Sequence, residues 1–167
     1  MLRIERLPAA HGDCLWIEYG SGAAVHRILI DGGPLATYLA EELLAKKSLT
    51  ILTNSIPVFE ILRANPDNVL ILTGGAYRQS SQALVGPTAE GALRELRADK
   101  LFLSVSGISL DFGLSHTNIS EVTIKQAMIR SAREVILLAD HTFFAEEGVI
   151  QVAAPTVVNK LITDDAL

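Results

Sequence analysis

Short, unbroken apolar runs alternate with helix-length amphipathic stretches from residue 31 onward, and no other feature of the sequence limits the possible folds as strongly. The strand-length apolar runs lie at 49–53, 69–73, 101–105, 135–139 and 149–152. The amphipathic stretches lie at 36–46, 55–64, 87–97 and 119–132. Continuous apolar runs are typical of strands buried on both faces of a parallel sheet. The sequence therefore predicts an α/β domain with a mostly parallel, doubly wound, Rossmann-like sheet and helices on both faces.

The first residues follow a different pattern. Two strand-like runs, 14–19 and 27–30, are separated by the turn-forming sequence Gly20-Ser21-Gly22. We therefore expect an N-terminal β-hairpin appendage over 1–27 and a single domain over 28–167. Within that domain, we expect the segment Arg27–Asp31 to be a buried central strand.

Composition and charge exclude several classes of protein. Hydrophobic residues make up 49% of the chain and charged residues 20%, which excludes an intrinsically disordered chain. The net charge is −5, so we expect no direct binding of nucleic acid, which requires a basic surface. A single cysteine, Cys14, cannot form an internal disulfide bond. We find no signal peptide and no apolar run of about 18 residues, so we expect a cytoplasmic chain without a membrane segment.

Small and polar residues follow five of the predicted strands. In open α/β sheets, ligands bind beyond the carboxyl ends of the strands, where glycines allow close approach and free N–H groups hold anions. Any one of these loops alone is more often an ordinary turn than part of a ligand site. Five such loops at one edge of the sheet favour a shared pocket. A guanidinium three residues beyond the third loop would suit an anion. The loops are Asp31-Gly32-Gly33, Thr53-Asn54-Ser55, Thr73-Gly74-Gly75 (followed by Arg78), Ser106-Gly107 and Asp140-His141-Thr142.

Other polar groups give weaker indications. His11, Asp13 and Cys14 are close in sequence, but no second group with metal-ligand spacing follows them, so we expect no metal and no cofactor. Glu121 and Lys125 have i, i+4 spacing on a predicted helix. They are either an ordinary surface pair or part of the rim of the pocket.

Residues 39–167 resemble the C-terminal effector domain of DeoR-family sugar-metabolism repressors. The resemblance implies a fold similar to ribose-5-phosphate isomerase, glucosamine-6-phosphate deaminase and CoA-transferases. It also implies a phosphorylated sugar or related metabolite as ligand, whose binding releases the repressor from DNA. The matching stretches are TNSIPV (53–58), LTGGAYRQSSQALVGPTAE (72–90), ADKLFLSVSGISLDFGLSHTN (98–118), EVTIKQAMIRSAREVILLADHT (121–142) and LITDD (161–165).

Residues 1–38 show a second, shorter resemblance. AAHGDCLWIEYG and HRILIDGGPLATY are similar to the first strands of a metallo-β-lactamase-fold hydrolase, although the metal-binding block of that fold is absent. We therefore expect a chimera joined between Asp31 and Leu39. The sequence also departs from the repressor pattern. Pro34 and Leu35 replace two hydroxyl residues, Phe143 replaces a lysine, and the family's helix-turn-helix does not precede the domain.

These observations favour a phosphorylated-sugar sensing domain of a DeoR-type regulator, not an enzyme, and leave self-association open. The first alternative is a sugar-phosphate isomerase in which Asp140 or Glu121 is the base and Lys125 stabilises the enediolate. A chimeric or designed scaffold without ligand comes next, and a metallo-hydrolase fragment last. The resemblance implies that the phosphate end of the ligand would contact Asp31, Gly33, Thr53, Asn54, Ser55, Gly74, Gly75 and Arg78. The sugar would face Ser106, Gly107, Thr117, Glu121, Lys125 and Asp140.

Overall fold

A parallel sheet forms the centre of the molecule. The structure is a computed structural model and describes residues 3–5, 26–144 and 146–166. The strands of the main sheet are β1 (Arg3–Glu5), β2 (His26–Ile30), β3 (Leu49–Thr53), β4 (Val69–Leu72), β7 (Ala98–Leu103), β10 (Ala132–Leu138) and β12 (Lys160–Ile162). They are all parallel and follow the order β1-β12-β10-β7-β2-β3-β4. The predicted α/β class with a mostly parallel sheet is confirmed.

Helices cover both faces of this sheet, because successive strand residues point to opposite sides. Ile28, Ile30 and Phe102 pack on one side with α1 (Pro34–Leu43) and α2 (Ile56–Leu62). On the other side, a second cluster that includes Leu29 and Leu101 packs with α3 (Pro87–Glu95) and α4 (Ile119–Ser131). None of the helices among the described residues is long and apolar enough to cross a membrane.

Two small antiparallel sheets lie outside the main sheet. One is a hairpin between β4 and α3, formed by β5 (Ala76–Arg78) and β6 (Ala83–Val85). The other joins β8 (Gly107–Ser109), β9 (Gly113–His116) and β11 (Ile150–Ala153). Both hairpins therefore follow the carboxyl end of a strand of the main sheet and precede a helix. Neither small sheet was predicted, because its strands are only three or four residues long.

Two of the predicted strands were placed wrongly. The run 149–152 was expected in the parallel sheet, but β11 pairs antiparallel with β9. Its middle residue Gln151 is exposed and Val152 is buried, the alternation of a strand with one solvent face. The run 69–73 was expected to be buried on both faces, but β4 ends the sheet, so Val69 is 59% exposed.

The N-terminal predictions have a mixed outcome. Strand β2 lies between β7 and β3, and the side chains of Ile28–Ile30 are fully buried, which confirms an interior strand. The first strand of the predicted hairpin, 14–19, lies outside the described residues. Residues Arg3–Glu5 pair in parallel with β12, which the sequence analysis did not predict. The division into 1–27 and 28–167 stays a prediction.

Candidate functional site

The parallel sheet brings the five predicted loops to one side of the molecule, which we call the carboxyl edge. It consists of the segments that follow β2, β3, β4, β7 and β10. In chain order these segments are 31–33, 53–55, 73–75, 104–107 and 139–142. Helix α4 and the hairpin β5–β6 supply further side chains to this edge.

A buried ion pair lies at the middle of the carboxyl edge. Asp31 Oδ2 accepts a hydrogen bond from the ammonium group of Lys125, which reaches it from α4. The same oxygen accepts from the backbone N–H of Ser104 at 3.1 Å and from its hydroxyl at 2.9 Å. The Asp31 and Lys125 side chains are only 2% and 3% exposed. A charge buried to this degree is tolerated only when it is paired and hydrogen-bonded, as both are here.

A second charged group lies one helical turn away, around Glu121. Arg78 Nε, from β5, donates to Glu121 Oε1 at 3.0 Å. His116 Nε2, from β9, is 3.1 Å from Glu121 Oε2. The backbone N–H of Asn118 donates to His116 Nδ1 at 3.3 Å, which leaves the N–H at Nε2 to donate to Glu121. We call Arg78, His116 and Glu121 the Glu121 cluster.

Glu121 is held in its charged form. Burial alone would raise the pKa of its carboxyl group, but the hydrogen bond from His116 and the positive charge of Lys125 lower it. The pKa falls to about 2. A carboxylate with such a low pKa accepts a proton poorly near neutral pH, so it orients cations better than it acts as a base.

The Arg78 side chain is the part of this cluster that remains accessible. Its side chain is 37% exposed, and only Nε bonds to Glu121. The two terminal nitrogens of the guanidinium have no partner among the described residues. A guanidinium whose fork is fixed at one nitrogen and free at the others suits two oxygens of a phosphate or carboxylate.

The predicted polar residues at the end of β3 make hydrogen bonds within the fold. Thr53 Oγ1 donates to the carbonyl of Ile30 at 2.8 Å. Ser55 Oγ caps α2 by accepting from the backbone N–H of Val58 at 3.4 Å. Asn54 Nδ2 donates to the carbonyl of Leu84 at 3.2 Å. These contacts fix the loop against β2, α2 and β6. Within this loop, the amide oxygen of Asn54 is buried and lacks a partner among the described residues.

Close packing explains two of the predicted glycines. A Cβ atom on Gly33 would lie 2.8 Å from the Ser104 hydroxyl oxygen. A Cβ atom on Gly75 would lie 2.7 Å from the carbonyl oxygen of Val85, and its φ of +115° is unfavourable for other residues. Gly74 has a φ of +74° and lies directly before it. These glycines shape the edge whether or not a ligand is bound.

Several predicted site residues do not join the two charged groups. Asp140 caps its own short 3-10 turn, accepting from the backbone N–H of Thr142 at 2.9 Å. Thr117 is exposed, and Ser106 donates from its backbone to Ser115 inside the second small sheet, which also contains Gly107. The two i, i+4 residues, Glu121 and Lys125, bond to other partners instead of each other.

Two members of the charged groups were missed by the sequence analysis. Ser104 was read as part of the apolar run 101–105, although it is the polar residue within that run and lies just after β7. His116 was not among the predicted site residues. Among the described residues, no group of three or more His, Cys, Asp or Glu side chains could hold a metal ion. The early residues His11, Asp13 and Cys14 lie outside the described part.

A family model described as the DeoR C terminal sensor domain matches residues 24–165. The chain belongs to this family. The sensor domain is 32% identical over 138 residues to the HTH-type transcriptional repressor CsqR of Escherichia coli, covering 83% of this chain and 53% of CsqR. It is 31% identical to the regulator YulB of Bacillus subtilis over 165 residues, 98% of this chain and 61% of YulB.

A third relative is the glycerol-3-phosphate regulon repressor of Haemophilus influenzae, 29% identical over 83% of the sensor domain and 54% of that protein. The sensor domain thus spans little more than half the length of these relatives. Among solved structures, eIF2B delta from Chaetomium thermophilum has a TM-score of 0.52 at 15% identity, over 83% of this chain and 49% of that one. A ribose 5-phosphate isomerase from Plasmodium falciparum has a TM-score of 0.48 at 14% identity, over 74% and 47%.

These comparisons do not support the expected chimera. The family match begins at residue 24, upstream of the junction that was placed between Asp31 and Leu39. The YulB match extends over nearly the whole chain. Strand β2, which Asp31 follows, therefore belongs to the sensor domain and lies in the interior of its sheet. Leu35 and Phe143, which depart from the family pattern, pack against the two hydrophobic clusters.

Proposed function

We propose that the carboxyl edge of this sensor domain binds a phosphorylated sugar or a related phosphorylated metabolite. In the full-length regulator, that binding would change the affinity for DNA. The family match and the names of its repressor relatives support a regulatory role. A cytoplasmic location and self-association accompany this proposal as predictions.

The observation that carries the proposal is the state of Arg78. Glu121 fixes one nitrogen of its guanidinium, while the two terminal nitrogens have no partner among the described residues. The side chain is partly exposed, at the edge where ligands of α/β sheets bind. A phosphate group placed there would gain a charge-assisted pair of hydrogen bonds without breaking the Glu121 contact.

The geometry favours binding over isomerisation. An isomerase needs a base that can remove a proton from carbon near neutral pH. The pKa of Glu121 is lowered to about 2, and Asp140 is engaged in capping its own turn. Lys125, expected to stabilise an enediolate, is paired with Asp31 and almost fully buried. We therefore propose a sensor that binds its ligand without turnover.

Isothermal titration calorimetry tests the proposal with inorganic phosphate, glycerol 3-phosphate, ribose 5-phosphate and fructose 6-phosphate. Arg78→Ala should weaken binding of the tightest of these about 10- to 100-fold, as for loss of a hydrogen bond to a charged group. Arg133→Ala is the matched control, because it also removes a guanidinium. Its side chain is 75% exposed and lies near the start of β10, away from the carboxyl edge. The parent should not isomerise ribose 5-phosphate.

Saturable binding that Arg133→Ala preserves and Arg78→Ala weakens supports the proposal. Equal affinity in all three proteins, or no binding of any of the four compounds by the parent, contradicts it. Isomerase turnover that depends on Glu121 would favour the enzyme instead.

A further inference from the structure

Two buried side-chain atoms at the hairpin β5–β6 have no hydrogen-bond partner in the described part of the chain: Asn54 Oδ1 and Ser81 Oγ. We propose that these two atoms recognise hydroxyl groups of the ligand, so that this hairpin distinguishes a phosphorylated polyol from phosphate alone. The inference rests on the proposed function, since it concerns the same site.

Asn54 presents a fixed acceptor. The residue is 2% exposed, and its Nδ2 donates to the carbonyl of Leu84 in β6. Its backbone carbonyl accepts from the N–H of Leu84 at 2.7 Å. Because the amide nitrogen is committed to Leu84, the amide cannot rotate to exchange its oxygen for its nitrogen without losing that bond. A buried acceptor left without a partner destabilises the fold, so its retention requires an explanation.

Ser81 presents a hydroxyl at the same hairpin. It lies in the turn between β5 and β6, three residues after Arg78. The hydroxyl lies near enough to Glu121 to help lower the pKa of that carboxyl group. In the structure as it stands, the hydroxyl makes no hydrogen bond of good geometry to any described residue.

The chemistry of the two atoms selects the ligand group. An amide oxygen accepts a hydrogen bond but cannot donate one, so an ionised phosphate oxygen cannot satisfy Asn54. A hydroxyl group can donate to Asn54 Oδ1, and another can pair with Ser81 Oγ in either direction. Arg78 in β5, Ser81 in the turn and Leu84 in β6 belong to one hairpin. A ligand with its phosphate on Arg78 would therefore extend its hydroxylated carbons along this hairpin.

The mutational test compares Ser81→Ala with Ser80→Ala, a matched control at an exposed neighbouring serine. The probes are inorganic phosphate and the tightest-binding of glycerol 3-phosphate, ribose 5-phosphate and fructose 6-phosphate. Ser81→Ala should weaken binding of the phosphorylated polyol by about three- to tenfold, the range for one neutral hydrogen bond. It should leave the affinity for inorganic phosphate unchanged, and Ser80→Ala should change neither.

Asn54 is tested without mutation, because its replacement would also remove the Leu84 hydrogen bond. In ¹H–¹⁵N spectra, the side-chain amide signals of Asn54 should shift when the phosphorylated polyol is added and stay in place with inorganic phosphate. An equal loss of affinity for both probes in Ser81→Ala would overturn the inference, since Ser81 would then act through Arg78 and Glu121. No loss for either probe, with unmoved Asn54 signals, would also overturn it and indicate that bound water satisfies the two atoms.

These outcomes separate the inference from the proposed function. If the parent binds the phosphorylated polyol and Ser81→Ala binds it equally well, the inference fails and the proposed function stands. If the parent binds none of the probes, both fail.

Discussion

The two ends of the parallel sheet carry charged networks of different character. At the amino edge, which we define by residues 27, 99, 100, 134 and 160, ion pairs link neighbouring strands. Arg27 Nη2 is 3.1 Å from Asp99 Oδ1, and Glu134 accepts from both Lys100 and Lys160. These side chains are 25–40% exposed. At the carboxyl edge, Asp31, Lys125 and Glu121 are much more deeply buried.

The two edges differ in how far their charged groups satisfy one another. At the amino edge, Glu134 lies directly opposite Lys100 in the strand register, and the opposing charges satisfy one another. At the carboxyl edge, Arg78 has unused donors, and two buried polar atoms lack partners among the described residues. A native structure retains few buried polar atoms of this kind, so their concentration at one edge supports the proposal that a ligand binds there.

The largest expected contrast in stability concerns the two lysines. Lys125→Met removes the partner of a buried carboxylate and should lower the free energy of unfolding by about 3–5 kcal/mol. Lys100→Met should cost at most about 1 kcal/mol, because the pair is partly solvated and Glu134 keeps Lys160. Urea denaturation of both variants at pH 7 measures the two values. Similar losses would remove the distinction between the edges.

A double variant sharpens this contrast. Adding Asp31→Asn to Lys125→Met removes the unpaired buried negative charge of Asp31. The double variant should therefore recover part of the free energy of unfolding that Lys125→Met loses. A double variant that is less stable than Lys125→Met alone would show that Asp31 stabilises the fold through Ser104 rather than through the lysine.

The fold was largely predictable because its main strands are continuous apolar runs. Leu101–Leu103 and Val135–Leu138 are buried from both sides, and burial of this kind is visible in the sequence. The first residues of β7 and β10 were missed because they include the charged side chains Asp99, Lys100 and Glu134. Charged residues interrupt the apolar pattern by which a buried strand is recognised in the sequence. Their place in these strands is explained only by the register, which sets opposite charges on neighbouring strands side by side.

The second expected effect is a pH dependence that belongs to Glu121. Its pKa is about 4.5 in the unfolded chain and is lowered to about 2 in the folded one, so the charged form stabilises the fold. The contribution is fully present above pH 4.5, about 3 kcal/mol, and is lost as the pH falls from 4.5 towards 2. Glu121→Gln should therefore destabilise the protein at pH 7, with a difference from the parent that shrinks below pH 4.5.

The control for this measurement is Glu134→Gln at the amino edge. The pKa of Glu134 is also lowered, because the hydrogen bonds and charges of Lys100 and Lys160 outweigh the effect of burial. Its side chain is more exposed than that of Glu121, so its pH-dependent loss should be smaller. Unfolding free energies from urea denaturation between pH 2 and 7 give both differences. A larger loss for Glu134→Gln than for Glu121→Gln would be inconsistent with the comparison.

The candidate site was less predictable than the fold. The strand-end rule located the edge and named Asp31 and Arg78, because parallel topology alone fixes where those segments lie. Glu121 and Lys125 were named from their i, i+4 spacing and from the family resemblance. The side-chain pairs Arg78–Glu121 and Asp31–Lys125 could not be predicted, because their members are 43 and 94 positions apart in the sequence. His116 in particular becomes recognisable only when β9 places it against the first turn of α4.

Hydrogen exchange with and without the tightest-binding phosphorylated compound tests the central claim most directly. If the carboxyl edge is the binding site, protection should rise in residues 73–86 and 116–125, which carry Arg78 and the first turns of α4. Amides of the amino edge, at 27, 99, 100, 134 and 160, should keep their exchange rates. Protection concentrated at the amino edge, with the carboxyl edge unchanged, would contradict the account.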